Sequence, residues 1–393
     1  PGSVEARVGL ALALADQDRL ERALRVLEGA PGPDGRLLQA KGQVLNWMGR
    51  HLEARRIFDQ LWTEHAGDPE IVEGRALAAR WGGDPTAARE AAAVLVRRFP
   101  GRSSGARLYR ELSLEYGHAA VTTARFIEDS DGLLDQTWSQ EFALHAGPAH
   151  QFRFTGQYRR FSQDEAVGWR RYETGWSGVL GRRLSAAASL AGVDYLQGEP
   201  SRRLTGEGSL VFQLNDRARV SGGAGSLAMD AYRSVQDRVT ASFQYLNLSL
   251  RPRRKLALEG QYSHYRFSDG VGRERLDLSG FRQVRTSRRL RLEAGGRSNL
   301  LWHDRETGHF FSPDFFQSHL GVARASGRLS DRLEYRAELG AGVQRAPGVA
   351  TESPLVFSGL LTWRFHPNLR LEAEGGRSTS SVERVNPGRS SYS

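Results

Sequence analysis

Three short segments of the sequence contain residue types that could carry out catalysis or hold a metal ion. Ser263 and His264 are a potential nucleophile and base, and His303, Asp304 and His309 are potential metal ligands. Neighbouring residues of a strand point to opposite faces, so Ser263 and His264 cannot act together, and no third group supports either of them. The segment with His303, Asp304 and His309 is interpreted as a polar surface loop. We therefore expect no enzymatic activity, no metal site and no cofactor.

Two further segments resemble ligand-binding loops only in part. The stretch 129–132, Asp-Ser-Asp-Gly, has the beginning of a calcium loop but no glutamate at the distance that such a loop requires. The stretch 222–225, Gly-Gly-Ala-Gly, follows no nucleotide-binding pattern and is typical of close packing between strands. Both stretches are interpreted as structural.

Charged residues in the second part of the chain alternate with apolar residues. From 333 to 343 the apolar residues occupy one face of a strand, and Glu334, Arg336 and Glu338 occupy the other. One face suits lipid and the other suits water, as in a membrane barrel. The same division predicts the residues that line the lumen: Arg153, Arg159, Arg171, Glu173, Glu207, Arg219, Glu259, Arg291, Glu293, Arg297, Glu334, Arg336, Glu338, Arg364, Arg370, Glu372 and Glu374.

Interleaved arginine and glutamate can do two things on such a face. They can brace neighbouring strands as ion pairs, or they can line a path for a hydrated polymer, and the sequence leaves both open. Basic residues also cluster at turns, at 182–183, 251–255 and 285–291, where they suit either an anionic polymer or anionic lipid headgroups at the periplasmic rim. This spacing does not line one groove with stacking aromatics, so nucleic acid is not an expected partner.

The strands that carry these residues have connections of unequal length. Short links are expected at 147–148, 182–183, 215–216, 251–254, 286–287, 330–331 and 366–368, and long ones at 161–169, 197–202, 303–314 and 346–353. Bacterial barrels have short periplasmic turns and long outer loops. Starting from a first strand over 121–127, we expect about 16 strands, with 389–393 as the beginning of the closing one. We also expect the chain to be truncated at that end.

Aromatic residues near the predicted strand ends suggest interfacial girdles. A membrane barrel carries such girdles where its strands leave the lipid. The residues assigned to them are Trp138, Tyr158, Trp169, Tyr172, Trp176, Tyr265, Phe267, Trp302, Trp363 and Phe365.

The first part of the chain has a helical pattern, with apolar residues three and four positions apart. Ala54 and Ala88 lie 34 positions apart, which is the spacing of tetratricopeptide repeats. About three such units resemble that repeat family, whose stacked helix pairs offer a concave surface to other proteins. The residues expected to pack the repeats are Ala23, Gly49, Ala54, Phe58, Ala88 and Pro100.

Length and composition agree with a chain of two parts. The 393 residues favour two bodies, placed at 1–116 and 117–393, and no run of about 18 apolar residues suggests a spanning helix. Cysteine is absent, which excludes disulfides and thiol chemistry. Lysine occurs only at Lys41 and Lys255, a bias that reflects genome composition more than chemistry. The first residue is Pro1, and we expect that a signal peptide precedes it.

The predicted fold is an N-terminal all-α tetratricopeptide-like repeat solenoid followed by an antiparallel transmembrane β-barrel of about 16 strands. This order of domains, with the repeat at 49–58 and the barrel following at 128–132, resembles the exopolysaccharide-export porins, such as those for poly-N-acetylglucosamine and cellulose, and the YaiO-type barrels. The resemblance implies that the barrel conducts a secreted polysaccharide and that the repeats bind periplasmic proteins or the polymer.

The expected function is therefore export of an extracellular polysaccharide through the outer membrane of a Gram-negative bacterium. The expected partners are outer-membrane lipid, a periplasmic protein held by the repeats, and the polysaccharide in the lumen. The alternative is a barrel that transports nothing and anchors an envelope complex.

Overall fold

The computed structural model describes residues 3–29, 34–65, 67–128, 133–162, 166–198, 201–287, 289–309, 312–348, 351–366 and 369–379. Helices occupy the first part of the chain and strands the second. The last helix of the first part ends at Glu115 and the first strand begins at Ala119. No helix in these ranges is both long and apolar enough to cross a membrane.

The first part is a stack of antiparallel helices, which we call the helical unit. Helices that start at Gly35, Pro69 and Ser103 are 34 residues apart. Asp34, Asp68 and Asp84 cap three helices by accepting hydrogen bonds from backbone N–H groups of the first turn. The helices are α1 (Val4–Asp16), α2 (Leu20–Glu28), α3 (Gly35–Trp47), α4 (His51–Glu64), α5 (Pro69–Trp81), α6 (Pro85–Arg98) and α7 (Ser103–Glu115).

Small residues bring the helices of this unit close together. Ala23, Ala54, Phe58 and Ala88 are fully buried, as the sequence predicts. The Phe58 ring fills a slot whose walls are glycines, since a Cβ at Gly42 would lie 2.8 Å from that ring. A ring can enter such a slot only because no side chain stands on the neighbouring helix.

Gly49 and Pro100, which the sequence analysis groups with these packing residues, lie in turns instead. Gly49 has a φ of +78°, a conformation that favours glycine, and a Cβ there would meet open space. Pro100 is exposed just beyond the end of α6. Both residues end helices, and neither packs one helix against another.

The second part is one antiparallel sheet of 15 strands among the described residues, in which each strand pairs with its sequence neighbours. Strands β1 and β15 are its two edges, and no ladder joins them within these ranges. The strands are β1 (Ala119–Glu128), β2 (Leu134–His145), β3 (His150–Ser162), β4 (Ala166–Gly181), β5 (Leu184–Tyr195), β6 (Ser201–Asn215), β7 (Ala218–Ala228), β8 (Thr240–Arg253), β9 (Leu256–Phe267), β10 (Gly272–Thr286), β11 (Arg291–His303), β12 (Phe315–Arg328), β13 (Leu333–Arg345), β14 (Leu355–His366) and β15 (Leu369–Ser378).

The predicted alternation of short and long connections is present in part, because the loop-end connections 163–165 and 268–271 are as short as the links at the other end. Links at one end of the sheet, the turn end, are short, at 146–149, 182–183, 216–217, 254–255, 287–290 and 329–332. At the other end, the loop end, the longest connections are 229–239, 304–314 and 346–354. The long connection expected at 161–169 is wrong, because β3 and β4 extend to Ser162 and from Ala166. The expected closing strand at 389–393 lies outside the described residues.

A short helix in the connection 229–239 was not predicted. This helix, α8 (Tyr232–Gln236), follows β7 and packs on β4. Ala231 and Val235, four positions apart, are both buried. That spacing is a helical signal, but it covers a single turn and is too short to stand out from a polar loop.

Candidate functional site: the inner face of the sheet

The two faces of the sheet differ in chemistry, and the register shows which residues share a face. Directly opposite residues of antiparallel strands lie on the same face. On the face that α8 covers, which we call the inner face, the side chains have odd numbers from β1 to β11 and even numbers from β12 to β15. The register shifts at the turn end of several strand pairs, and such a shift between Leu250 and Arg253 places Arg253 opposite Leu256 of the outer face. The other face, the outer face, exposes mainly leucine, valine and aromatic residues.

All the charged residues that the sequence analysis assigns to a lumen lie on this inner face. Glu334, Arg336 and Glu338 of β13 stand opposite Arg328, Ser326 and Arg324 of β12. Glu334, Arg336 and Glu338 are two positions apart, so they lie on one face, because side chains of a strand alternate between its faces.

Most charges of the inner face are paired across or along strands. Glu338 accepts hydrogen bonds from Arg297 and Arg324 of two other strands, both at 2.8 Å. Shared carboxylates of this kind brace neighbouring strands. The other pairs are Arg153 with Glu141, Arg171 with Glu173, Arg275 with Asp277, Arg291 with Glu293, Arg328 and Arg364 with Glu334, and Arg370 with Glu372.

Five of the charged residues assigned to the lumen form no ion pair with another described residue. These side chains are free to meet a hydrated solute. They are Glu207, Arg219, Glu259, Arg336 and Glu374.

Several inner-face residues escaped the sequence analysis. Arg273, Arg275 and Asp277 of β10 lie on this face, and Arg324 lies over the Phe281 ring at 3.6 Å. The alternation with Leu276 and Leu278 would have identified the β10 residues. The contact of Arg324 with Phe281 joins β12 to β10, and no local pattern indicates it.

At the loop end the inner face is covered by the connection 229–239. Val235 and Ser234 of α8 have no exposed surface. Val235 packs in a cluster with Phe161, Trp169 and Tyr195 of β3, β4 and β5. The connection therefore folds back over the face instead of extending into solvent.

A buried arginine ties this connection to the strands. Arg159 of β3 is 6% exposed and forms a two-point ion pair with Asp135 of β2, at 3.0 and 2.7 Å. Its remaining nitrogen donates to Asp230 of the connection at 2.7 Å. The Arg159 guanidinium also stacks on Phe161 at 4.7 Å. A planar group with five N–H donors can hold two carboxylates in this way.

Two neighbouring connections, 196–200 and 304–314, form hydrogen bonds with α8. The Ser234 hydroxyl donates to the backbone oxygen of His309 at 3.1 Å. The His309 ring lies 2.7 Å from Asp237, and the Gln197 amide donates to the Val235 oxygen at 2.7 Å. Three connections thus meet over the inner face.

The predicted girdle of aromatic residues needs a correction at this end. Trp169, Tyr265 and Phe267 lie on the inner face, within or beside buried clusters. They pack against the covering connections, which a strand-end rule does not anticipate. The others lie on the outer face: Trp138, Tyr158, Tyr172, Trp176, Trp302, Trp363 and Phe365.

The residues considered for catalysis or metal binding are separated by the fold. Ser263 lies on the inner face and His264 on the outer face. His303 contacts the Pro313 oxygen at 2.9 Å, whereas Asp304 accepts from the Gly272 amide at 2.8 Å. No group of three or more His, Cys, Asp or Glu side chains among the described residues is placed to hold a metal ion. The stretch 129–132 lies outside those residues.

At the turn end the helical unit contacts the sheet. Asp216, in the link between β6 and β7, accepts hydrogen bonds from the Leu52 and Glu53 amides at 2.8 and 3.4 Å. These amides begin α4, whose own preceding residue supplies no cap. A residue of the sheet therefore caps a helix of the other part, and a carboxylate there also suits the positive end of the helix dipole.

Charges on both sides strengthen this contact. Asp18 forms ion pairs with Arg254 and Lys255 of the β8–β9 link. Burial raises the pKa of the Asp18 carboxyl, but the hydrogen bonds and charges of those two residues outweigh it and hold the pKa below its ordinary value. Burial lowers the pKa of His51, and Asp216 opposes that effect only in part. The contact between the two parts therefore depends on the protonation of Asp18 and of His51.

No protein-family model matches this chain, and no curated protein matches it. Among solved structures, it is similar to a protein described as a bacterial polysaccharide outer membrane secretin, with 14% identity and a TM-score of 0.54 over 66% of this chain and 93% of that one. The siderophore receptor PirA from Pseudomonas aeruginosa is 11% identical, with a TM-score of 0.35 over 68% of this chain and 60% of its own.

The first of these similarities bears on the fold. Its coverage is about the share of the chain that the sheet occupies, and it extends over nearly the whole of that secretin. The chain therefore has a helical unit followed by an antiparallel sheet of the outer-membrane β-barrel kind.

Proposed function

We propose that this protein is an outer-membrane barrel that exports an extracellular polysaccharide, with the helical unit in the periplasm. The observation that carries the proposal is the division of the sheet between a mainly apolar outer face and an inner face that carries most of its paired charges. Such a sheet suits lipid on one side and a hydrated path on the other. Its fold is similar to that of a polysaccharide outer membrane secretin.

The chemistry of the inner face suits a sugar polymer better than a small apolar solute. Paired arginines and carboxylates hold water and offer donors and acceptors to hydroxyl groups. Unpaired charges such as Glu207, Glu259 and Arg336 add sites without a single dominant sign. A polymer of neutral or mixed charge could therefore pass along this face without being held tightly by it.

The place where the helical unit attaches supports an orientation of the barrel. Bacterial barrels place their short turns in the periplasm. The helical unit contacts the short links through Asp216 and Arg254, so we infer that it lies on the periplasmic side. Its 34-residue spacing supports a tetratricopeptide-type stack, which offers a surface for a periplasmic synthesis or modification protein.

Passage requires that the connection 229–239 move, because it covers the inner face at the loop end. Arg159 with its two carboxylates, and the apolar contacts of Val235, hold it in place. The same closed arrangement favours the alternative function, a barrel that anchors an envelope complex and passes nothing. The two functions differ in whether the connection ever opens.

Single-channel recording in planar bilayers tests the proposal. We expect discrete conductance steps from the full chain, and longer blocks as soluble polysaccharide fragments of increasing length are added on the turn side. A globular protein of similar mass should not block. A chain that inserts and folds in the bilayer but shows no conductance, with or without polymer, would support the anchoring function and contradict export.

A further inference from the structure

A groove on the outer face is explained neither by the fold nor by the proposed function. It crosses β8 to β11 and has a volume of about 440 Å³. Its rims are leucines, among them Leu248, Leu258 and Leu278. Its floor consists of Gly260, Gly280 and Gly296, which lie on three neighbouring strands.

The register places the groove in two rows of residues across the sheet. The row nearer the loop end is Leu248, Gly260, Leu278 and Ser298. The row nearer the turn end is Leu250, Leu258, Gly280 and Gly296. One glycine in the first row and two in the second leave a depression about one side chain deep between leucines.

The next row toward the turn end is basic. Arg253 stands opposite Leu256, Leu256 stands opposite Arg282, and Arg282 stands opposite Ala294. Both arginines are exposed, and neither forms an ion pair with another described residue. The basic row and the nearer row of the groove are two residues apart along the strands, a distance of roughly 7 Å. The apolar groove therefore leads directly to two unpaired positive charges.

We propose that this groove is a binding site for one anionic phospholipid, with an acyl chain over Gly260 and Gly280 and the phosphate on Arg253 and Arg282. Charge complementarity favours this occupant over a second copy of the chain, because a symmetric contact would bring like charges together. Arginine binds phosphate oxygens at two points, which suits a headgroup at the edge of the apolar zone. The neighbouring residues Arg254 and Lys255 are already paired with Asp18.

This site would lie beside the contact with the helical unit. Arg253 immediately precedes Arg254, so a lipid phosphate on Arg253 stands next to the ion pairs that hold Asp18. The lipid phosphate thus neutralises Arg253, and Asp18 of the helical unit neutralises the adjacent Arg254 and Lys255. The inference depends on the sheet lying in a bilayer, but it does not depend on the passage of a polymer.

Native mass spectrometry of the full chain released from detergent tests the site. The chain is mixed with equal amounts of phosphatidylglycerol and phosphatidylcholine that carry the same acyl chains. We expect one phosphatidylglycerol to be retained in preference to phosphatidylcholine. The double variant Arg253→Gln/Arg282→Gln should reduce that preference about tenfold or more, since each basic residue near an anionic surface contributes roughly fivefold.

Two further variants separate the groove from the charges. Gly280→Leu fills the floor, where a Cβ lies 3.1 Å from the movable end of Leu258, and should reduce binding of both lipids. Arg182→Gln/Arg183→Gln removes two charges from another link at the same end and should leave the preference unchanged. Heat-dependent mobility on a gel reports whether each variant is folded.

Several results would overturn the inference. One is equal retention of the two lipids by the unaltered chain, and another is an equal loss of preference in both double variants. Competition by glycerol 3-phosphate alone would assign the charges to a free phosphate. A change in oligomeric state with Gly280→Leu would assign the groove to a second copy. Retention of no lipid at all by the folded chain would also contradict the bilayer placement, whereas equal retention would leave it intact.

Discussion

At the scale of single residues, Arg159 is the buried charge that joins the connection 229–239 to the strands. A guanidinium buried beside Phe161 is unfavourable unless its charge and its N–H groups are satisfied. Asp135 satisfies one side, and Asp230 of the covering connection satisfies the other. The sequence predicts Arg159 on the inner face from alternation. It does not predict the two carboxylates, because Asp230 is 71 positions away.

Replacing Arg159 should loosen the covering connection. In Arg159→Gln the two carboxylates lose their shared cation, and breaking a buried ion pair costs about 3 kcal/mol or more. We expect more frequent and longer open events in single-channel records. Arg153→Gln is the matched control, because its ion pair with Glu141 lies on the same face but is half exposed. Equal behaviour of the two variants would show that Arg159 does not hold the connection.

His51 makes the contact between the two parts sensitive to pH. Its pKa in the folded chain is below the ordinary value of 6.5, because burial disfavours the charged ring. The unfolded state then binds more protons in the window below pH 6.5, so the free energy of unfolding decreases as pH falls through it. Arg251 adds to the effect and Asp216 opposes it.

Thermal unfolding of the helices, followed by circular dichroism between pH 8 and pH 5, measures this dependence. We expect the midpoint to fall toward pH 5 in the unaltered chain and to fall less in His51→Gln. His65→Gln removes an exposed histidine and should follow the unaltered chain. If His51→Gln has the same pH dependence as the unaltered chain, another group is responsible.

At the scale of elements, the helical unit depends on glycines that admit one aromatic ring. Phe58 of α4 enters between Gly42 of α3 and Gly74 of α5, and a Cβ at Gly74 would overlap the ring. The 34-residue spacing predicts the helix pairs and the buried Ala54 and Phe58. It does not identify these glycines, because the slot depends on how three helices approach one another.

Gly74→Ala should destabilise the helical unit, although alanine is the better helix former. The new methyl group must displace the Phe58 ring in a packed core, which costs about 1 to 3 kcal/mol. Gly9→Ala is a matched control in α1, where a Cβ meets nothing within 4 Å, and it should be neutral or stabilising by up to about 1 kcal/mol. Chemical denaturation followed at helical wavelengths measures both. A stabilised Gly74→Ala would contradict the packing.

The strands were easier to predict than the connections that cover them. A period of two runs through strands such as β13, so their faces could be assigned without knowing the partners. Helix α8 is five residues long, and its position depends on contacts with β4, Gln197 and His309. Those contacts join distant parts of the chain, which local pattern does not contain.

At the scale of the whole molecule, the two parts are joined at more than the chain crossing between α7 and β1. Asp216 caps α4, and Asp18 binds the β8–β9 link. These contacts hold the helical unit against the turn end of the sheet. A partner bound to the helices would therefore stand close to the periplasmic opening of the proposed path.

The central claim is that the sheet crosses a bilayer with its outer face in lipid. The chain has no cysteine, so single cysteines can be placed along β13 without background labelling. After reconstitution in liposomes, a fluorophore at 335, 337, 339 and 341 should be quenched by lipid-borne nitroxides. At 336, 338, 340 and 342 it should be quenched by a water-soluble agent instead. The absence of any alternation, with all eight positions open to water, would contradict the claim.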